Sequence, residues 1–283
     1  MRLVVDDERR VHTAIQSKEF ERDIAFAVEA AEWAGERVLA LRASGRWKET
    51  GVLADIGDQA ADGLLQGFIR GRYPDDGILS EETADSARRL SKQRVWIVDP
   101  LDGTREYSQL REDWAVHIGL IVNGKCALGV VGLPARNKLV WGVCADGANA
   151  YGLRGEGRLN TGSSPLPERP RIAVSRSHTP SWMARFADLL GAEMVYSGSV
   201  GNKVGMLLLD EADIYAHRKG LNEWDTCAPE CVARALGWSV STLRGTEMSY
   251  NQPNPRIDEF LMCKPAWRER VLAALIEAGA VKD

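Results

Sequence analysis

The chain has 283 residues, 45% of them hydrophobic and 27% charged, with 36 basic side chains against 40 acidic ones. That length is enough for one large or two small domains with a real core. A net charge of −4 lacks the basic surplus of a duplex-coating nucleic-acid binder, and no stretch reaches the about 18 to 20 continuous apolar residues of a membrane span.

The first twenty residues carry Asp6, Asp7, Glu8, Arg9 and Arg10 and no apolar signal core, so the expectation is a solvated start. Five scattered cysteines fit a reduced, cytoplasmic protein better than a disulfide scaffold. Ile24, Val28, Ala31, Ala34, Val38 and Leu41 recur at steps of three and four, which predicts an amphipathic helix over about Asp23–Leu41. A second helix is expected from about Ala60 to just before Tyr73-Pro74. Val95 to Val98 is an apolar run of strand length ending in Asp99-Pro100. Strands over Ala115–Val122 and Cys126–Val131 flank Asn123-Gly124, a strong hairpin signal because both turn positions favour positive φ. Lys138–Val143 extends this antiparallel meander.

Between about Arg154 and Pro170 the composition turns to Gly, Ser and Pro, which suggests two parts, 1–165 and 166–283. In the second part strands near 171–174, 214–217, 239–242 and 260–263 alternate with helices near 180–190, 201–209, after Thr226, and 267–278. The expected architecture is an α+β half followed by an α/β half. Cys227 and Cys231 lie four apart on a predicted helix, with no companion Cys or His at zinc spacing, and read as small core residues.

The chemistry concentrates in Asp99-Pro100-Leu101-Asp102-Gly103-Thr104, where an apolar strand delivers two carboxylates to one turn. Pro100 pushes Asp99 towards an extended conformation, and Gly103 lets backbone N–H groups approach an anion. Carboxylates beside an anion-binding turn require cations between them, and hard cations such as Mg²⁺ take carboxylates together with phosphate oxygens. Glu81, in Glu81-Glu82 after Ile78-Leu79-Ser80, and Asp225, just before a helix, complete such a cluster. Taken singly they would read as a solvated surface and a helix cap. Asp62 adds an acid at the start of the second helix.

This combination resembles the inositol monophosphatase superfamily over about Asp23 to Cys263: Asp-Pro-Leu-Asp-Gly-Thr, a preceding Glu-Glu, and Trp224-Asp225 before a helix. Arg105-Glu106-Tyr107, Val174 to His178, Gly198 to Lys203 and Trp224 to Glu230 look most like its 3′(2′),5′-bisphosphate nucleotidase, CysQ-type branch. The resemblance implies a layered α/β/α/β/α sandwich and a Mg²⁺-dependent, lithium-sensitive phosphomonoesterase using two or three ions. Its substrate would be adenosine 3′,5′-bisphosphate and its sulfated form, cleaved at the 3′-phosphate by in-line attack of a metal-bound water. It further implies metal ligation by Glu81, Asp99, the Leu101 carbonyl, Asp102 and Asp225. Thr104, paired with Asp62 and assisted by Glu81, would activate the water. Gly103 and Thr104 would hold the phosphate, and Ser175, His178, Ser199 and Lys203 would contact the nucleotide. Gln59 stands where the family usually has Thr ahead of this acid. Homodimers are common in the superfamily. An inositol or sugar phosphatase of the same superfamily is the nearest alternative, and a catalytically silent metal- or nucleotide-binding protein the alternative of another class.

Overall fold

The structure is a computed structural model that describes residues 18–145 and 149–281. The charged start at Asp6–Arg10 lies outside the described residues. Two sheets carry the fold. The first runs in the order β1(Gly77–Ser80), β2(Arg94–Asp102), β3(Ala115–Val122), β4(Lys125–Leu133), β5(Lys138–Val143) and β6(Ala150–Arg154). Its first pair is parallel and the rest antiparallel. The second sheet has β7(Arg171–Ser175), β8(Glu193–Ser197), β9(Ile214–Asn222), β10(Ser239–Ser241) and β11(Arg256–Cys263) in the order 10-11-9-7-8, part parallel and part antiparallel.

Among the described residues, seven α-helices fill three layers: α1(Lys18–Ala43), α2(Thr50–Arg72), α3(Thr104–Ser108), α4(Met183–Leu190), α5(Val200–Leu208), α6(Glu223–Ala235) and α7(Arg268–Glu277). The period-2 alternation of β2 sends Trp96 and Val98 into a core shared with α1 and α2, while Val95 and Ile97 face α6 from the other side. Both faces being covered, the strand is buried along nearly its whole length, and Val95 to Val98 is continuously apolar rather than alternating. α5 and α6 lie between the sheets, and α4 and α7 cover the far face of the second sheet through Phe186, Val271 and Leu275. The result is the layered α/β/α/β/α sandwich.

Two local devices shape the end of β2 and the seat of α6. In β2 the three steps from Asp99 to Asp102 match only two on β3, from His117 to Ala115. This bulge at Pro100-Leu101 turns Asp99 and Asp102 to the same face, which strict alternation would forbid. Gly119, Gly129 and Gly142 are in register across β3, β4 and β5. A Cβ at Gly129 would lie 2.4 Å from the Ala228 carbonyl, and one at Gly119 2.6 Å from Cys227 Sγ. The glycine stripe therefore lets α6 seat directly on the sheet.

The second helix begins at Thr50, ten residues before the expected start at Ala60. Gly51, Asp55, Gly57 and Asp58 are poor helix formers, so its first turns are held by packing, with Leu53 buried. β6 and β8 have no counterpart among the expected strands.

Candidate active site

Carboxylate oxygens of Asp99, Asp102 and Asp225 lie within 4.8 Å of one another. Asp99 and Asp102 come from the end of β2, and Asp225 from the first turn of α6, across the middle layer. One oxygen of each is held by the chain's own donors. The Leu101 N–H donates to Asp99 at 3.1 Å. Ser199 Oγ and the Gly201 N–H donate to Asp102 Oδ2, both at 2.6 Å. The Asn222 N–H donates to Asp225 at 2.7 Å, so this residue caps α6 and still offers its other oxygen to the cluster.

Burial, followed by the charges of Glu81, Asp102 and Asp225, raises the Asp99 carboxyl well above the usual carboxylate range. Burial and Asp102 do the same to Asp225. Glu81 is exposed at the rim, yet the water lost on its protein-facing side, then Asp102 and Glu82, push it up to about 7. His117 adds to the crowding. Its Nδ1 stands 3.1 Å from the Trp224 carbonyl, which can only accept. Its Nε2 lies 3.3 Å from Asp102 Oδ2 but is not aligned for a hydrogen bond, and burial disfavours a charged ring. Three converging carboxylates, Glu81 at their rim and an orphaned imidazole nitrogen beside them make a donor set that fits hard, oxygen-seeking cations.

Thr104 begins α3 after Gly103, whose φ of +91° is left-handed backbone open to glycine. Its Oγ1 lies 3.2 Å from Asp58 and 3.1 Å from the Leu101 carbonyl. Burial, Glu82 and Glu81 raise the Asp58 carboxyl to about 7, with the Thr104 hydrogen bond opposing. Gly57 allows this approach, because a Cβ there would meet the Tyr107 ring of α3 at 2.7 Å. Tyr107 in turn donates to the Val38 carbonyl at 2.8 Å and ties α3 to α1.

On the side of the second sheet, Ser175 ends β7 and its Oγ accepts from the His178 N–H at 3.3 Å. His178 is exposed. Arg105 reaches across to Ser177 Oγ at 3.3 Å, joining α3 to this loop.

A family model described as "Inositol monophosphatase family" matches residues 19–279. The chain belongs to the inositol monophosphatase family. Among its relatives, the 3′-phosphoadenosine 5′-phosphate phosphatase of Mycobacterium leprae is 37% identical over 252 residues, covering 86% of this chain and 89% of that one. The 3′(2′),5′-bisphosphate nucleotidase CysQ of Escherichia coli is 32% identical over 197 residues, covering 68% and 77%. The crystal structure of CysQ from Bacteroides thetaiotaomicron superposes with a TM-score of 0.75 at 25% identity, covering 88% of this chain and 99% of that one. The family is metal-dependent, and the aspartate cluster is where this member can hold metal.

Within this family member, the structure gives three of the expected site residues other partners than the resemblance implied. Thr104 does not pair with Asp62. Both Asp62 oxygens are taken, by Ser80 Oγ and Thr83 Oγ1 at 2.6 Å each, so Asp62 grips the turn that carries Glu81. Asp58, one helical turn earlier on the same face, is the acid beside Thr104. Lys203, expected to contact the nucleotide, is 3% exposed, and its ammonium donates to the Gly198 and Ser199 carbonyls. Ser199 is engaged too, donating to Asp102 and accepting from the Asn202 N–H at 2.9 Å as the cap of α5. Sequence reasoning did not single out Asp58, and read Arg105 only as part of the branch signature Arg105-Glu106-Tyr107. The signal for Asp58 was its spacing of four from Asp62, which puts both on one helix face.

Proposed function

We propose that this protein is a Mg²⁺-dependent phosphatase that removes the 3′-phosphate of adenosine 3′,5′-bisphosphate and of its sulfated form. The observation that carries the reading is the 37% identity, over most of both chains, to a phosphatase named for that bisphosphate. The cluster of three aspartates, with Glu81 at its rim, beside a threonine–aspartate pair supports it.

Glu81, Asp99, Asp102, Asp225 and the Leu101 carbonyl would hold two or three Mg²⁺ ions. Bound there, Mg²⁺ supplies charge neutralisation for the phosphate dianion and lowers the pKa of water. The Thr104 hydroxyl orients the attacking water, and Asp58, raised to about 7, accepts its proton near neutral pH. Water oxygen bonds to phosphorus in line as the bond from phosphorus to the 3′ oxygen breaks, with no phosphoenzyme. The N–H groups of Gly103 and Thr104 hold phosphate oxygens, since the left-handed turn at Gly103 aims successive amides one way.

Residues 1–165 contribute Asp58, Glu81, Asp99, Asp102 and Thr104 to this reading, and 166–283 contribute Asp225, Ser175 and His178. The nucleotide's other phosphate is assigned to Ser175, His178 and Arg105. Lys203 supports that region from within by fixing the Gly198-Ser199 turn. Homodimeric assembly is carried over with the resemblance. The site of action is read as the cytoplasm. All five cysteines are unpaired, and no helix among the described residues is long and apolar enough to cross a membrane.

The test is phosphate release from adenosine 3′,5′-bisphosphate with Mg²⁺, with chelator, and in Asp99→Asn. Release should require Mg²⁺ and fall to the chelated level in the variant. Turnover indifferent to both changes would sink the metal reading.

A further inference from the structure

Behind the carboxylate cluster, on the face of α6 that meets the first sheet, four of the five cysteines come together. Cys227 and Cys231 lie one turn apart on α6 and are buried. Cys126 is the second residue of β4. Its strand partner Ile121 faces α6, so Cys126 does as well. The sulfurs of Cys126, Cys227 and Cys231 lie within 4.8 Å of one another. Cys144, just past β5, donates to the Cys126 carbonyl at 3.5 Å, and Cys126 to the Cys227 carbonyl at 3.9 Å. Leu79, Val95, Ile97, Ile121 and Tyr250 enclose the group, and the nearby Glu230 carboxylate is already engaged by Tyr250 and Arg234.

Three thiols converging from two distant segments exceed what packing requires, because alanine or valine would fill such space without polar atoms. In an ideal tetrahedral zinc–thiolate site the metal–sulfur bond of about 2.3 Å sets sulfurs about 3.8 Å apart. The three sulfurs need to close by about 1 Å at most, within reach of small rotamer changes. Cys126 is half-buried at the strand end, next to the exposed Asn123-Gly124 turn.

We propose that Cys126, Cys227 and Cys231 form a binding site for one soft, thiophilic d¹⁰ cation of the Zn²⁺ or Cd²⁺ type, separate from the carboxylate site. Ligand softness keeps the two apart: thiolates select such ions, while the oxygen cluster selects Mg²⁺. α6 then carries a hard-ion ligand, Asp225, and two soft-ion ligands, two and six residues further on. The inference stands whether or not the substrate reading above is right.

The test titrates reduced protein, saturated with Mg²⁺, with Cd²⁺ and follows the ultraviolet thiolate-to-cadmium charge-transfer absorption, to which carboxylates do not contribute. One Cd²⁺ per chain is expected. Cys126→Ser and Cys231→Ser should each weaken binding by at least tenfold, whereas Cys263→Ser, in the core against α4 and α7, should not. If buried Cys231→Ser fails to fold, Cys126→Ser at the strand end carries the test alone. No absorption in the unsubstituted protein, or binding of unchanged strength in Cys126→Ser, overturns the proposal.

Discussion

Asp58 and Asp62 sit one turn apart on α2, and their partners divide the work between them. Asp58 meets the Thr104 hydroxyl, whereas Asp62 is saturated by Ser80 and Thr83. Asp58→Asn should therefore lower kcat by roughly 10²- to 10⁴-fold, the usual worth of a positioned base, while Mg²⁺ still raises the melting temperature as in the parent. Asp62→Asn should act chiefly on stability, costing about 1–3 kcal/mol through its hydrogen bonds to Ser80 and Thr83, with a smaller loss of kcat. Steady-state kinetics and thermal melts on both variants check the division. The reverse pattern would return the catalytic role to Asp62. The carboxylates of the Asp-Pro-Leu-Asp-Gly-Thr turn were legible in the sequence because their chemistry sits in one short segment. The Asp58–Asp62 choice was not, since it depends on Gly57 letting Tyr107 pack close, a contact between residues fifty apart.

α6 is the element on which the site depends, because it brings Asp225 to a strand end over one hundred residues earlier in the chain. Its seat is the glycine stripe, and Gly129 is the tightest point. Gly129→Ala should push α6 off the sheet, destabilise by about 1–3 kcal/mol as overpacked cores do, and weaken Mg²⁺ binding through Asp225. Thermal melts with and without Mg²⁺ read both effects, and an unchanged Mg²⁺ response would show that Asp225 does not depend on this packing. The amphipathic first helix and the Asn123-Gly124 hairpin could be read from local pattern, since periodicity and turn chemistry are written in adjacent residues. The start of α2 could not, because tertiary packing overrides its poor helix formers. β8 escaped notice because its residues stay half open to solvent, with Tyr196 at 49%, and so lack a buried alternation. The cysteine cluster was hidden for a similar reason: Cys126 and Cys227 meet only when β4 packs under α6.

Across the whole molecule, the cluster stores charge repulsion that sets how stability responds to pH and to metal. Asp58 and Glu81 are raised to about 7 in the folded chain, against about 4 for free carboxylates. Between about pH 4 and 7 the folded state thus binds more protons than the unfolded one, so the metal-free protein should lose stability as pH rises across that window. Mg²⁺ should reverse the trend, because it binds the ionised carboxylates. At about 100 times its Kd it contributes about 2.7 kcal/mol. Melts in chelator and in Mg²⁺ at several pH values should show the gain from Mg²⁺ growing towards alkaline pH. A gain that shrinks as pH rises would place the ion elsewhere.

The substrate is decided most directly by kcat/KM for phosphate release from adenosine 3′,5′-bisphosphate and from inositol 1-phosphate in one Mg²⁺ buffer. A preference of about 100-fold for the bisphosphate, equal to about 2.7 kcal/mol of transition-state discrimination, is the expected result. It should shrink when Ser175, His178 or Arg105 is replaced by alanine. Equal or reversed rates would leave the fold and the carboxylate cluster in place and contradict the nucleotidase assignment.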